Sequence, residues 1–269
     1  MSHEIRQLSE LDEQRLTGVL RTADIRLVRA SWLLNQPPHK HLQRRQELEE
    51  EAFLSGEDAV ALIRRATRAV GALTYGWLSP DDPDPTCSRL RILQEALNDK
   101  PYIEALFMDQ LSLPQPPRSD AQEASFQRAL MVMADLYASA VGTTVLQLKE
   151  IPARPVEFDG WLRLGCVNYG MTAEAVCAAL SRCGNVGQCL ELGPGSFRMR
   201  FECHQQAEAA LATWQTLSST LGTKSYCFIE YNGRPYDDRG WYMLHPPCDH
   251  ILATTYTLFA LLAARLPPI

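Results

Sequence analysis

The sequence predicts an α/β protein: an open parallel sheet with N-terminal helices and an inserted βαββαβ subdomain. Three observations predict it. Strand-like apolar runs alternate with helix-period segments over 70–148, the pattern of parallel pairing through crossover helices. Between 155 and 231 the order changes to strand, helix, strand, strand, helix, strand, a unit that closes on itself. Residues 1–69 carry leucines at helical spacings ahead of the first strand-like run. The expected organisation is a helical region over 1–69, an α/β domain over 70–154 and 232–269, and an insert over 155–231.

The N-terminal pattern is helical over 4–70, with Leu8, Leu11, Leu16 and Leu20 followed by Ile25, Leu27 and Val28. Pro37 and Pro38 break it, because each removes an amide donor. Helix is expected to resume through HLQRRQELEEEAFL (41–54), whose charges form a solvated face, and again over 57–70 after a cap at Ser55-Gly56. VGALTYGW (70–77) reads as a strand cut off by LSPDDPDP, and RLRILQEALND (89–99) as a helix. ALFMDQLSL (105–113) reads as a second strand with Asp109 near its C-terminal end. A long helix over 119–140 follows, with Phe126, Leu130, Met133 and Tyr137 on one stripe, then a third strand over 142–148. In such a sheet, sites form beyond the C-terminal ends of the strands.

The insert reads WLRLGCV, TAEAVCAALSRC, VGQCLEL, SFRMRFE, QQAEAALATWQTLSS and SYCFIEY, with Gly193-Pro194-Gly195 turning the central hairpin. That order is the split βαβ or ferredoxin-like unit. It resembles an RNA-recognition motif, in which aromatic rings on the central strands stack bases. Ser196, Arg198 and Gly165 stand where those rings belong. Nucleic acid is therefore not an expected partner.

Composition agrees. The chain has 269 residues, 46% of them apolar and 22% charged, and a formal net charge of -6, which argues against a phosphate backbone as the main partner. Eight cysteines form no CxxC pair, consistent with reduced core thiols and a cytoplasmic protein. The charged start MSHEIRQLSELDEQ has no signal-peptide core, and the apolar stretch 251–264 is shorter than the roughly 20 residues that span a bilayer. No membrane association is expected, and 251–264 reads as a buried terminal helix.

Three separated stretches resemble one family. ALTYGW (72–77), LFMDQLSLPQPPRSDAQEASFQRALMVMADLYASA (106–140) and RGWYMLH (239–245) are similar, in order, to the ALSYxWG, WIDxLCINQ and RxWTLQE blocks of heterokaryon-incompatibility (HET) domains. Together they cover less than a fifth of the chain. HET domains resemble Toll/interleukin-receptor (TIR) domains, so the resemblance implies a flavodoxin-like sheet. It also implies signalling or self-association through protein partners, and, in some members, cleavage of NAD at the nicotinamide bond. That reaction needs a ring-lined pocket and a carboxylate beside the charge developing on the ribose. His245 stands at the position of the family's glutamate, and an imidazole supplies no fixed negative charge.

The resemblance places His245 and Asp109 as candidate catalytic residues, and Tyr75, Trp77, Gln115, Arg239 and Trp241 as candidate cofactor-binding residues for NAD as substrate or ligand. Each has a plainer alternative: the tryptophans as core aromatics, Asp109 as a turn cap, Gln115 as a loop residue, Arg239 as an ion-pair partner of Asp109. His245, Cys248 and His250 lack a fourth ligand, so no metal is expected. The expected function is an interaction or signalling domain with a degenerate NAD pocket. Two alternatives stay open. One is an active NAD glycohydrolase in which Asp109, Asp237 or Asp238 replaces the glutamate; the other is a structural subunit of a larger assembly.

Overall fold

The computed structural model describes residues 13–80, 82–138, 143–168, 170–222 and 224–236. Of these, 13–76 and 83–150 form one compact unit, and 77–82 with 151–236 form a second. Both are α/β, one around a mixed and mostly parallel sheet, the other around an antiparallel one. No helix among the described residues is long and apolar enough to cross a membrane.

The first unit begins with helix α1 over 13–21, strand β1 (Val28–Arg29) and helix α2 (Ala30–Leu34). Helix α3 (Gly56–Arg64) follows, its first turn closed by the Ser55 hydroxyl accepting from the Asp58 amide, as an N-cap should. Then come β2 (Val70–Tyr75), α4 (Arg89–Asn98), β3 (Ala105–Phe107), α5 (Asp109–Ser112), α6 (Asp120–Ala138) and β4 (Thr143–Leu148). The sheet order is β1-β3-β2-β4, with β2 parallel to both β3 and β4 and β1 antiparallel to β3. Five successive buried residues in β2 mean that both faces of this central strand are covered, as in parallel sheets. Leu73, Leu93, Leu97, Leu106 and Leu146 join one core.

Three expectations fail here for identifiable reasons. The 41–54 helix is replaced by two single 3-10 turns, Arg45–Glu47 and Glu50–Ala52. Arg45 instead donates to the carbonyls of Ala23, Asp24 and Ser112, and Phe53 bridges to Val28; tertiary partners outweigh a helix with no continuous apolar face. The helical pattern expected from residue 4 up to the Pro37-Pro38 break is likewise interrupted by β1, and α3 stops at Arg64, short of the expected 70, before residues Ala66 and Arg68 with positive φ. The 105–113 strand ends at Phe107 because side chains turn the chain into α5: the Met108 amide donates to Ser112 Oγ and the Gln110 amide to Asp109 Oδ1.

The second unit contains β5 (Trp161–Gly165), α7 (Ala173–Leu180), β6 (Val186–Gly193), β7 (Ser196–Phe201), α8 (His204–Ala212), α9 (Trp214–Leu221) and β8 (Tyr226–Ile229). The antiparallel sheet runs β6-β7-β5-β8. Leu162, Leu164, Phe197, Met199 and Phe201 pack with Val176, Leu180, Ala207 and Ala210 of the helices. The expected single helix over 205–219 is two, parted at Thr213, whose hydroxyl donates back to the Ala209 carbonyl. Gly195 turns the β6–β7 hairpin at φ 68°, with 2.7 Å from an added Cβ to the Val167 carbonyl, so only glycine fits. Burial, then the neighbouring Cys177 thiol, pushes the Cys189 thiol up to about 12, which keeps it protonated and unreactive.

Candidate functional site

The parallel pairing of β2 with β3 brings their C-terminal ends together. Tyr75 is the last residue of β2, and Asp109 lies two residues past β3 as the first residue of α5. The Tyr75 phenol donates to Asp109 Oδ1 at 2.6 Å, and the Gln110 amide donates to the same oxygen at 2.7 Å. Burial and then the Asp109 charge hold the Tyr75 hydroxyl well above its ordinary range, so it stays a donor at any physiological pH. Tyr137 flanks this end, its ring edge-on to Phe107 and its hydroxyl donating to the Leu73 carbonyl at 2.7 Å.

Gln115 shapes the turn beyond α5. Its side-chain amide donates to the carbonyls of Asp109 (2.8 Å) and Leu113 (3.1 Å), while its backbone is bracketed by both ends of the Gln46 amide. The side chain that sequence places among the ligand-binding residues therefore orients the Asp109 backbone.

Arg89 is a residue that sequence reasoning missed. It is 0% exposed, and its guanidinium donates to the carbonyl of Gly76 just past β2 (2.8 Å) and to that of Glu150 just past β4 (2.7 Å). Its guanidinium carbon lies 5.9 Å from the Tyr75 ring centroid. Asp84 fixes the start of α4 by accepting from the amides of Ser88 and Arg89, both at 3.0 Å. Burial raises the Asp84 carboxyl above its usual range, against the pull of these amides and the Arg89 charge. The available signal was the pattern Asp84-x-x-x-Ser88-Arg89 before an apolar helix, which reads equally well as a simple cap.

Of the predicted site residues, the structure joins Tyr75, Asp109 and Gln115 at one strand end. Trp77 opens the segment that belongs to the second unit. Arg239, Trp241 and His245 lie outside the described residues, as do Asp237, Asp238, Cys248, His250 and the 251–264 segment. Among the described residues, no group of three or more His, Cys, Asp or Glu is placed to hold a metal ion.

What the arrangement offers chemically is a carboxylate held in one orientation by a phenol and a backbone amide, at the C-terminal ends of parallel strands. Removing the phenol tests the coupling. Tyr75→Phe is expected to cost about 1.5–3 kcal/mol, the range for a hydrogen bond to a charged group, read as a lower urea midpoint with an unchanged slope. A midpoint equal to the parent's would mean that water replaces the phenol at no cost. No protein-family model matches the chain, and no curated protein matches it.

Proposed function

We propose that the chain is a HET/TIR-like interaction or signalling protein. In this reading its first unit is a flavodoxin-like nucleotide-pocket fold that no longer cleaves NAD, and its second unit is a ferredoxin-like insert. The observation that carries the reading is the Tyr75–Asp109 hydrogen bond at the C-terminal end of parallel strands in the order β3-β2-β4. A ring and a carboxylate meeting there fit one side of a nicotinamide-ribose pocket. The same bond argues against turnover, because one Asp109 oxygen already carries two donors and an oxocarbenium-like centre is best served by an uncommitted charge. His245, where the family's glutamate belongs, points the same way.

The test measures nicotinamide release at high protein concentration beside the effect of NAD on melting temperature, for the natural protein, Asp109→Ala and His245→Glu. The expected result is a melting temperature raised by NAD in the natural protein, lost in Asp109→Ala, with no nicotinamide released, and a size that grows with concentration. Release by the natural protein that disappears in Asp109→Ala would replace this reading with the glycohydrolase. Neither release nor a melting shift would remove NAD from the account.

A further inference from the structure

β6 is an edge strand: one side is hydrogen-bonded to β7, and among the described residues no strand lies on the other. Bulges between Val186 and Gln188 and between Glu191 and Gly193 leave 188–191 in regular register, so a short run of main-chain N–H and C=O groups faces outward there. Gly187, Gln188, Leu190, Glu191 and Leu192 are all exposed. No lysine or proline blunts 186–193, and its one charged side chain is Glu191, so the protection of this edge is limited to its two bulges and that carboxylate.

The two sides of this edge differ. Leu190 lies opposite Arg198, on the face away from the helices, and is 37% exposed; Leu192, in the following bulge, is 50% exposed. Cys189 and Glu191 lie opposite Met199 and Phe197, which are core residues on the helix-covered face. Glu174 lies in the first turn of α7, the helix packed against β6. Both carboxylates are exposed, and neither joins an ion pair among the described residues, whereas Glu57 and Glu95 of the first unit each hold an arginine.

We propose that the β6 edge binds an extended peptide as an added strand, selecting a segment in which basic residues alternate with apolar ones. Main-chain bonds to 188–191 supply affinity, and alternate side chains read the two rims. Apolar residues of the peptide meet Leu190 and Leu192; lysines or arginines meet Glu191 and Glu174. A second copy of β6 fits worse, because two-fold antiparallel pairing sets Glu191 and Glu174 of both copies along one rim, where like charges repel. The assignment rests on the reading of the chain as an interaction protein and names the surface and partner chemistry that reading lacks.

The test uses the full chain and a fluorescein-labelled octapeptide alternating lysine with valine, followed by anisotropy, with amide hydrogen exchange read across 186–193. Saturable binding is expected, with slowed exchange at the β6 amides. Replacing the peptide's lysines by glutamate is expected to abolish it. The Glu174→Lys/Glu191→Lys protein is expected to bind on the order of tenfold more weakly. These are exposed positions, so an unchanged melting temperature shows the fold is kept, and Leu190→Asp gives an independent loss. Absence of saturable binding at millimolar peptide, or binding that leaves β6 exchange unchanged, overturns the proposal. So does a dimer that forms without peptide and is broken by Leu190→Asp, since a second copy then owns the edge. The NAD melting shift reads Asp109 in the first unit; its persistence alongside failed peptide binding sinks the edge assignment alone.

Discussion

Arg89→Met is expected to destabilise the first unit by about 3–5 kcal/mol, from the loss of two hydrogen bonds donated by a buried guanidinium at roughly 1.5–3 kcal/mol each. The guanidinium is fully buried and reaches the carbonyls of Gly76 and Glu150, the two positions that follow adjacent parallel strands β2 and β4. Methionine fills much of the volume but leaves both carbonyls without that donor and removes the Arg89 charge that favours the ionised Asp84 carboxylate. Urea denaturation at pH 7 measures the loss. The deficit should also depend on pH, with a sign that follows from Asp84. Burial already raises its folded-state carboxyl, and losing Arg89 raises it further. A raised carboxyl penalises the fold above its folded-state pKa, and protonation relieves the penalty. The gap between variant and parent is therefore widest at neutral pH and narrows as pH falls toward the raised value. A gap that stays constant on acidification would mean that Asp84 remains ionised without Arg89.

The same residue shows how far sequence reading reaches. Periodicity found β2, α4, α6 and β4, because each is a long run whose burial follows a simple pattern. It missed β1, two residues long, since a strand that short has no period. It extended β3 to 113 because Met108, Leu111 and Leu113 are apolar and buried, and burial alone cannot tell a strand from a turn of helix. What ended the strand was the side chains of Asp109 and Ser112 satisfying backbone amides, a local choice visible only with coordinates. Asp109 was legible as a residue at the end of a strand; its partner Tyr75 was legible only as one aromatic among several, because a contact between β2 and α5 depends on register. The element order of the second unit was legible for the opposite reason. Its strands are separate short runs with a Gly-Pro-Gly hairpin between two of them, so the order of elements survived even though the second helix broke at Thr213. Alternate arginines on one strand, such as Arg198 and Arg200, look in sequence like a solvated face, and for Arg198 pairing, which sequence does not give, shows otherwise.

Glu230 is where Arg198 leads, together with Arg163 of β5. The carboxylate is 2% exposed and accepts from Arg163 Nη2 at 3.1 Å and from Arg198 Nε at 2.7 Å, with Arg198 Nη2 at 2.6 Å. The Arg198 guanidinium carbon lies 4.0 Å from the centroid of the Trp161 ring, so one acid ties β5 and β7 to the chain leaving β8. Glu230→Gln is expected to cost about 2–3 kcal/mol; the figure sits below the buried-pair range because Arg163 and Arg198 keep some solvent. Replacing the whole cluster, Glu230→Leu with Arg163→Leu and Arg198→Met, is expected to cost less than Glu230→Gln alone, because no uncompensated charge is left behind. Chemical denaturation of the parent and the two variants separates the cases. If the triple variant is the less stable, the arginines contribute through the Trp161 stack and their packed stems more than through their pairing with Glu230. If Glu230→Gln matches the parent, solvent already reaches the cluster, and this face of the sheet is held by Trp161 and its neighbouring side chains alone.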